Sequence, residues 1–417
     1  MVKHLRAVYA LFKESHAYKV YTLCVLLALG KQVFSYTELI DSREYLCAAK
    51  SVFMSQVPDS CLDTLQGHQL PHTRRTVGYP FLIYLTGAVP LLLIVLQSLI
   101  SLLLPLLAKR TLSVFTSAPR PHALLQWLML LSPLQFFYTG FLMPEIWTEF
   151  LLLLLLYLYL KDKLLGMMLC LSALVLLKPV FILLLFIATA FAFFGIRRRW
   201  ILLFSWIPVL IAGFLHYQKW DLWHYSSVAV ENKWSYNQRV ALESAMEPTK
   251  VDSFYLAQEK LLLNLDYKHK SQYMDSLANI NITSHFKGYF SSHIKGCVKM
   301  LFDPGRYDFV AFMALPEGKG FMQANGLYSI ADAFRRQSPI VWLYLVLFGL
   351  VGLIKWIYFI LGVRNHPKIG LTLLAIMVIF IGVTGPVGSA RYLLPFLPWI
   401  AIMASLSRDT HENTAAE

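Results

Sequence analysis

Charge is what this sequence has least of. Only 15% of its 417 residues are Asp, Glu, Lys or Arg, where a soluble domain carries nearer a quarter. That scarcity argues against a water-soluble globular protein. Metal-type cysteine pairs are missing too. The five cysteines, Cys24, Cys47, Cys61, Cys170 and Cys297, contain no C-x-x-C, so no cysteine-based metal site is expected. Strict apolar–polar alternation is absent, which excludes a transmembrane barrel. No small-residue cleavage site precedes "SYTELIDSRE", so the first apolar run is expected to stay as an anchor. Internal repeats and low-complexity tracts are also lacking.

What fills the chain is apolar residue. It is 57% hydrophobic with mean hydropathy +0.55, and runs long enough to cross a bilayer, roughly 17–25 residues each, recur along it. The expected fold is an all-α polytopic membrane protein with about ten spans, near 18–36, 79–108, 122–142, 145–160, 164–177, 180–195, 200–220, 339–362, 369–387 and 392–407. The formal net charge of +13 follows from the positive-inside rule and anionic lipid rather than from nucleic acid.

Lys and Arg are distributed unevenly between the runs. One side collects Lys3, Arg6, Lys13, Lys19, Lys109, Arg110, Arg120, Lys161, Lys163, Arg197, Arg198, Arg199, Arg364, Lys368 and Arg408. That side is expected to be cytoplasmic and to hold both termini. Two long loops, 37–78 and 221–338, then face outward. They divide the chain into an N-terminal membrane part (1–220, including the first loop), the large loop (221–338), and a C-terminal membrane part with its tail (339–417). The stretch "TSHFKGYFSSHIKGCVKMLF" has the pattern of a surface helix. "DPGRYD", Asp303 to Asp308, reads as a turn. His72, His285 and His293 lack ligand spacing and read as solvated loop residues. Asn281-Ile282-Thr283 fits a glycosylation sequon. Cys47 and Cys61 share the first loop, where an oxidising compartment would permit a disulfide.

The outward side keeps a small set of ionisable residues that topology does not explain. The first loop supplies Asp41, Arg43, Glu44, Tyr45, Arg74, Arg75 and Tyr79. Later turns add Glu145, Lys178, Arg391 and Tyr392. Arg and Lys at a membrane surface can hold a phosphate by charge-assisted hydrogen bonds, and a carboxylate in reach of a hydroxyl can act as general base. Each residue also has a plainer use. Asp41 and Glu44 fit an N-cap and its N3 partner for the helix that follows. Glu145 fits a helix start, Lys178 a snorkelling helix end, and Arg74 and Arg75 fit anchors to lipid headgroups.

Five stretches, in this order, resemble the GT-C class of membrane glycosyltransferases, in the style of the protein O-mannosyltransferase and lipid A aminoarabinose transferase group. They are "DSREYLCAAKSVF", "RRTVGYPFLIYL", "FLMPEIWTEFLLLLLLYLYL", "LGMMLCLSALVLLKPVFILL" and "GSARYLLPFLPWIAI". The resemblance implies an inverting transfer of a sugar from a polyprenyl-phosphate donor to a hydroxyl of a lipid, glycan or protein acceptor. The setting it implies is the outer face of a bacterial inner membrane; no cofactor is expected, and no metal, because a monophosphate leaving group held by two or three cations does not need one. It makes Asp41 the catalytic carboxylate and places Lys178 and Arg391 on donor phosphate. Arg43, Tyr45, Arg74, Arg75, Tyr79 and Tyr392 would line the substrate site. The chain departs from the group in "HTRRTVGYP", which lacks a second acidic residue, so Glu44 or Glu145 would stand in. Two other classes compete: a flippase or transporter for lipid-linked glycans, and an O-antigen polymerase or ligase.

Overall fold

The computed structural model describes residues 15–54, 71–194, 199–315 and 337–409. Among them every regular element is helical. The order begins with α1 (His16–Phe34), α2 (Ile40–Phe53), α3 (Gly78–Leu85), α4 (Pro90–Leu112), α5 (Pro119–Leu130), α6 (Pro133–Gly140), α7 (Glu145–Leu160), α8 (Leu164–Leu177), α9 (Ile182–Phe194) and α10 (Ile207–Trp220). After a run of short helical segments spanning Val228–Glu243 come α11 (Pro248–Leu262), α12 (Tyr267–Ser284), α13 (Phe286–Phe302), α14 (Arg306–Phe312), α15 (Pro339–Asn365), α16 (Pro367–Thr384) and α17 (Leu397–Leu406). Five helical stretches among the described residues are long and apolar enough to cross a membrane: His16–Phe34, Pro90–Leu112, Trp200–Trp220, Pro339–Asn365 and Pro367–Val387.

Two runs expected as single spans are broken. The run 79–108 stops after α3, where Gly87 and Ala88 both take positive φ (63° and 56°) and Pro90 opens a new helix. The run 122–142 breaks at Leu131 and Ser132, because Pro133 has no N–H to continue the helix. A break inside an apolar bundle leaves carbonyls without partners, which the protein must supply. Lys355 of α15 supplies one: its Nζ donates to Leu131 O at 2.7 Å and to Ser132 Oγ at 2.6 Å. Gln97 of α4 supplies another where α6 ends, donating to Phe141 O at 2.8 Å.

Two large apolar clusters hold the bundle. One joins α4, α5, α7, α8, α9 and α17 through Leu104, Leu128, Leu152, Leu174, Leu185 and Trp399. The other joins α1, α6, α14 and α15 through Tyr21, Phe137, Phe309 and Tyr344, whose last two rings stack at 4.1 Å. A third, small core of Trp234, Leu262 and Met274 belongs to the segment after Trp220. That segment is itself helical and returns to the bundle. Gly296 of α13 crosses the Gly385–Gly388 turn so tightly that a Cβ would stand 2.5 Å from Gly385 O. The crossing sets α13 beside Arg391.

Candidate active site

α2 begins at Ile40 with Leu39 as its N-cap and no side-chain cap. The capping-box expectation for Asp41 and Glu44 is therefore corrected: Asp41 sits in the first turn and Glu44 just past it, and both carboxylates pair with cations. Arg75 donates to Asp41 Oδ1 and to Glu44 Oε2, each at 2.7 Å. Arg391, some 350 positions away, grips the other Asp41 oxygen. Arg74 bonds Glu44 at 3.2 Å and also pairs with Glu231. Charged hydrogen bonds of this kind win over a cap, because the residues are mostly buried and each guanidinium needs an anion.

A second pair lies beside the first. Glu145 opens α7, as expected, but is wholly buried and accepts from Lys178 Nζ at 2.7 Å. Lys178 is thus an ion-pair partner rather than a snorkelling helix end. It stands at the break between α8 and the turn at Pro179, with its Nζ 6.0 Å from the Tyr392 ring. Arg391 stacks on the same ring at 5.1 Å, and Arg75 stacks on Tyr45 at 4.6 Å.

A cavity of about 830 Å³ opens against this cluster. Its lining includes Asp41, Glu44, Arg74 and Arg391, then Lys299, Asp303, Arg306 and Asp308, together with apolar Leu39, Ile40, Phe302 and Leu345. Mixed charged and apolar lining suits a ligand that has both characters.

Electrostatics separates the carboxylates. Burial works to raise Asp41, but Arg391 and Arg75 outweigh it and hold Asp41 well below the usual carboxylate range. Arg75 is correspondingly held above its ordinary value, against the pull of its own burial, by Asp41, Tyr45 and Glu44. Asp308 behaves in the opposite way. Burial pushes it up to about 6, although the Tyr138 hydrogen bond and Arg391 pull it down.

Not every expected residue joins the site. Tyr79 is fully buried and donates to Gln97 Oε1 at 2.5 Å. It holds the side chain that satisfies Phe141, so it positions the start of α7 instead of lining the cavity. Arg43 is exposed and outside the lining. His293 bonds Gly382 O at 2.7 Å, locking α13 to α16. Cys47 is disulfide-bonded; Cys61 and the His72 side chain lie outside the described residues. No group of three or more His, Cys, Asp or Glu that could hold a metal occurs among the described residues.

Several participants escaped the sequence reading. Asp308 and Arg306 were hidden in what reads as a turn. Asp303 does cap that turn, accepting from Gly305 N and Arg306 N at 2.9 and 3.1 Å. Glu231 and Tyr138 carried no spacing signal at all, since their partners are more than 150 positions distant.

Fold and site together define a helical protein with helices long and apolar enough to cross a membrane and a charged cluster that lines a cavity. Compared with known proteins, the chain matches no family model, no curated protein and no solved structure.

Proposed function

We propose that the chain is an integral membrane glycosyltransferase of the GT-C type. It moves a sugar from a polyprenyl-phosphate donor to a hydroxyl of a lipid, glycan or protein acceptor. The observation that carries the reading is that Arg74 and Arg391, paired with Glu44 and Asp41, line one large, partly apolar cavity, while Arg75 ties the two carboxylates together. Two guanidiniums oriented by carboxylates, those of Arg74 and Arg391, give its wall forked donors for a phosphate. Lys299 lines the same cavity and makes no ion pair among the described residues. The leaving polyprenyl phosphate would gain negative charge beside these cations, where preorganised donors stabilise a transition state most. The apolar lining suits the lipid portion of the donor.

In this reading Asp41 presents Arg391 to the phosphate and Glu44 presents Arg74, with Arg75 bridging the two carboxylates. The chain would cross the membrane about ten times, with both termini cytoplasmic and the cavity at the outer face of a bacterial inner membrane. The five long apolar stretches and the shorter apolar helices near α8, α9 and α17 support a chain that crosses many times.

The test is transfer of radiolabelled sugar from polyprenyl-phosphate donors by purified protein, with R391K and D41N alongside. R391K keeps the charge but loses the guanidinium fork. It is expected to lower turnover about 100-fold, in line with loss of one preorganised donor. D41N should lose turnover with the protein still folded. Wild-type protein inert toward every donor tried, with cell-extract acceptors present, would sink the reading and direct attention to lipid-linked glycan transport.

A further inference from the structure

Resting on the glycosyl-transfer reading, we propose that Asp308 is the group that takes the proton from the acceptor hydroxyl. The resemblance gives that role to Asp41, and the residue pattern shows Asp308 only as part of a turn.

The argument begins with what each carboxylate is already doing. Both oxygens of Asp41 are engaged by guanidiniums, Oδ1 by Arg75 and Oδ2 by Arg391. Glu44 is shared by Arg74 and Arg75. Glu145 is buried against Lys178. A carboxylate held in such pairs is a poor proton acceptor, because protonation would strip its partners of their counter-charge.

Asp308 is placed differently. It is the third residue of α14, 2% exposed, and lines the same cavity as Asp41 and Arg391. Its hydrogen bond among the described residues is a neutral one, from Tyr138 Oη to Oδ1 at 2.6 Å. That bond fixes the carboxylate without neutralising it. α14 is itself anchored on both sides. Phe309 stacks on Tyr344 of α15, and Phe312 packs on Phe137 of α6 at 5.1 Å. Gly305, at φ 89°, and the Asp303 cap set the helix start. The groups acting on Asp308 from its surroundings are Tyr138 of α6, Arg391, Asp303, Glu145 at the start of α7, and Tyr344 of α15. Lys31 of α1 lies over the Phe312 ring, one turn further along α14. Burial, with Asp303 and Glu145 adding repulsion, brings Asp308 to about 6. A base tuned that close to neutrality is ionised at pH 7 and still holds a proton well.

In the step, the acceptor O–H proton passes to the Asp308 carboxylate. The oxygen's electron pair forms the new bond to the anomeric carbon. The bond from that carbon to the donor phosphate oxygen breaks, and its pair leaves with polyprenyl phosphate toward the arginines.

The experiment measures kcat against pH for wild type, D308N and Y138F, together with binding of polyprenyl phosphate itself. Wild-type kcat is expected to fall as pH is lowered through about 6. D308N should lose about 100-fold or more of kcat at pH 7.5, lose that acid limb, and bind polyprenyl phosphate as the wild type does. Y138F removes a bond that favours the ionised form, so its acid limb should move to higher pH, which a merely structural role would not produce. A wild type that transfers sugar while D308N retains its kcat or its acid limb overturns the assignment of Asp308 alone. A limb unmoved in Y138F, in a variant that binds polyprenyl phosphate normally, also counts against it. A wild type that transfers no sugar overturns the glycosyl-transfer reading and this assignment with it.

Discussion

Glu44 serves two guanidiniums at once, and only 4% of its side chain is exposed. Removing one charge from such a network leaves the others buried and uncompensated, at a cost of about 3–5 kcal/mol. E44Q should therefore lower the unfolding midpoint of the detergent-solubilised protein far more than substitution of the exposed pair Lys250–Glu247. Equal midpoints would mean that the cluster is not buried as described. Asp41 and Asp308 pull pH dependence in opposite directions. Asp41 is depressed on folding, so its contribution is present above about 4 and is lost as pH falls below its unfolded value. Asp308 is raised on folding, so its contribution is present at low pH and is lost as pH rises through about 6. D41N should flatten the acid side of the stability profile, and D308N the region around 6. Midpoints measured from pH 3 to 8 check both signs.

Among the elements, the broken helices carry the lesson. The break before Pro133 is tolerated because Lys355 takes the Leu131 carbonyl, which the helix restart at Pro133 leaves without a backbone donor. The unwound stretch after α6 is tolerated because Gln97, held by Tyr79, takes the Phe141 carbonyl. Each such bond, if lost, strands a buried acceptor at about 1–3 kcal/mol. K355M and Q97L are both expected to lower the unfolding midpoint. Q97L should also reduce transfer, since Phe141 leads directly into Glu145. A Q97L protein with unchanged midpoint and activity would remove Gln97 from the positioning of α7. Glu149, one turn past Glu145, is the reverse case. It is fully buried, and neither carboxylate oxygen has a hydrogen-bond partner among the described residues. Replacing an unpaired buried carboxyl by an apolar residue of similar volume is often neutral or stabilising. E149M should accordingly hold or raise the midpoint, and a sharp fall would show that Glu149 has a partner.

For the molecule as a whole, the open quantity is how many times the chain crosses. The ten-span reading puts three crossings between the segment after Trp220 and the C-terminal end of α17. Ser253 on α11 and Asp409 after α17 should then lie on opposite sides of the membrane. Cysteines introduced at Ser253 and Asp409, in a variant without the free cysteines Cys24, Cys170 and Cys297, can be tested with a membrane-impermeant thiol reagent on intact cells. Label at S253C but not D409C supports the count and orientation. Label at both would mean an even number of crossings in that interval and would overturn the ten-span arrangement.

Residue composition alone was enough for the all-helical class and for helices that can cross a membrane. Apolar runs of that length need no tertiary context to be legible, because each span satisfies its own backbone. The pattern also singled out Asp41, Glu44, Arg74, Arg75, Glu145, Lys178 and Arg391, since charge is conspicuous where little is found. Three things waited for the tertiary structure. The helix breaks depended on Lys355 and Gln97, which lie on other helices and give no local sign of whose carbonyl they serve. The capping box failed at Asp41 and Glu44 because Arg75 and Arg391 outcompete a backbone N–H, and their proximity is set by packing across more than three hundred positions for Arg391. Asp308 became visible as a cavity residue only when Phe309 and Phe312 seated α14 between α6 and α15. Burial is a property of the assembled bundle, and burial is what turns an ordinary turn aspartate into a carboxylate poised near neutrality.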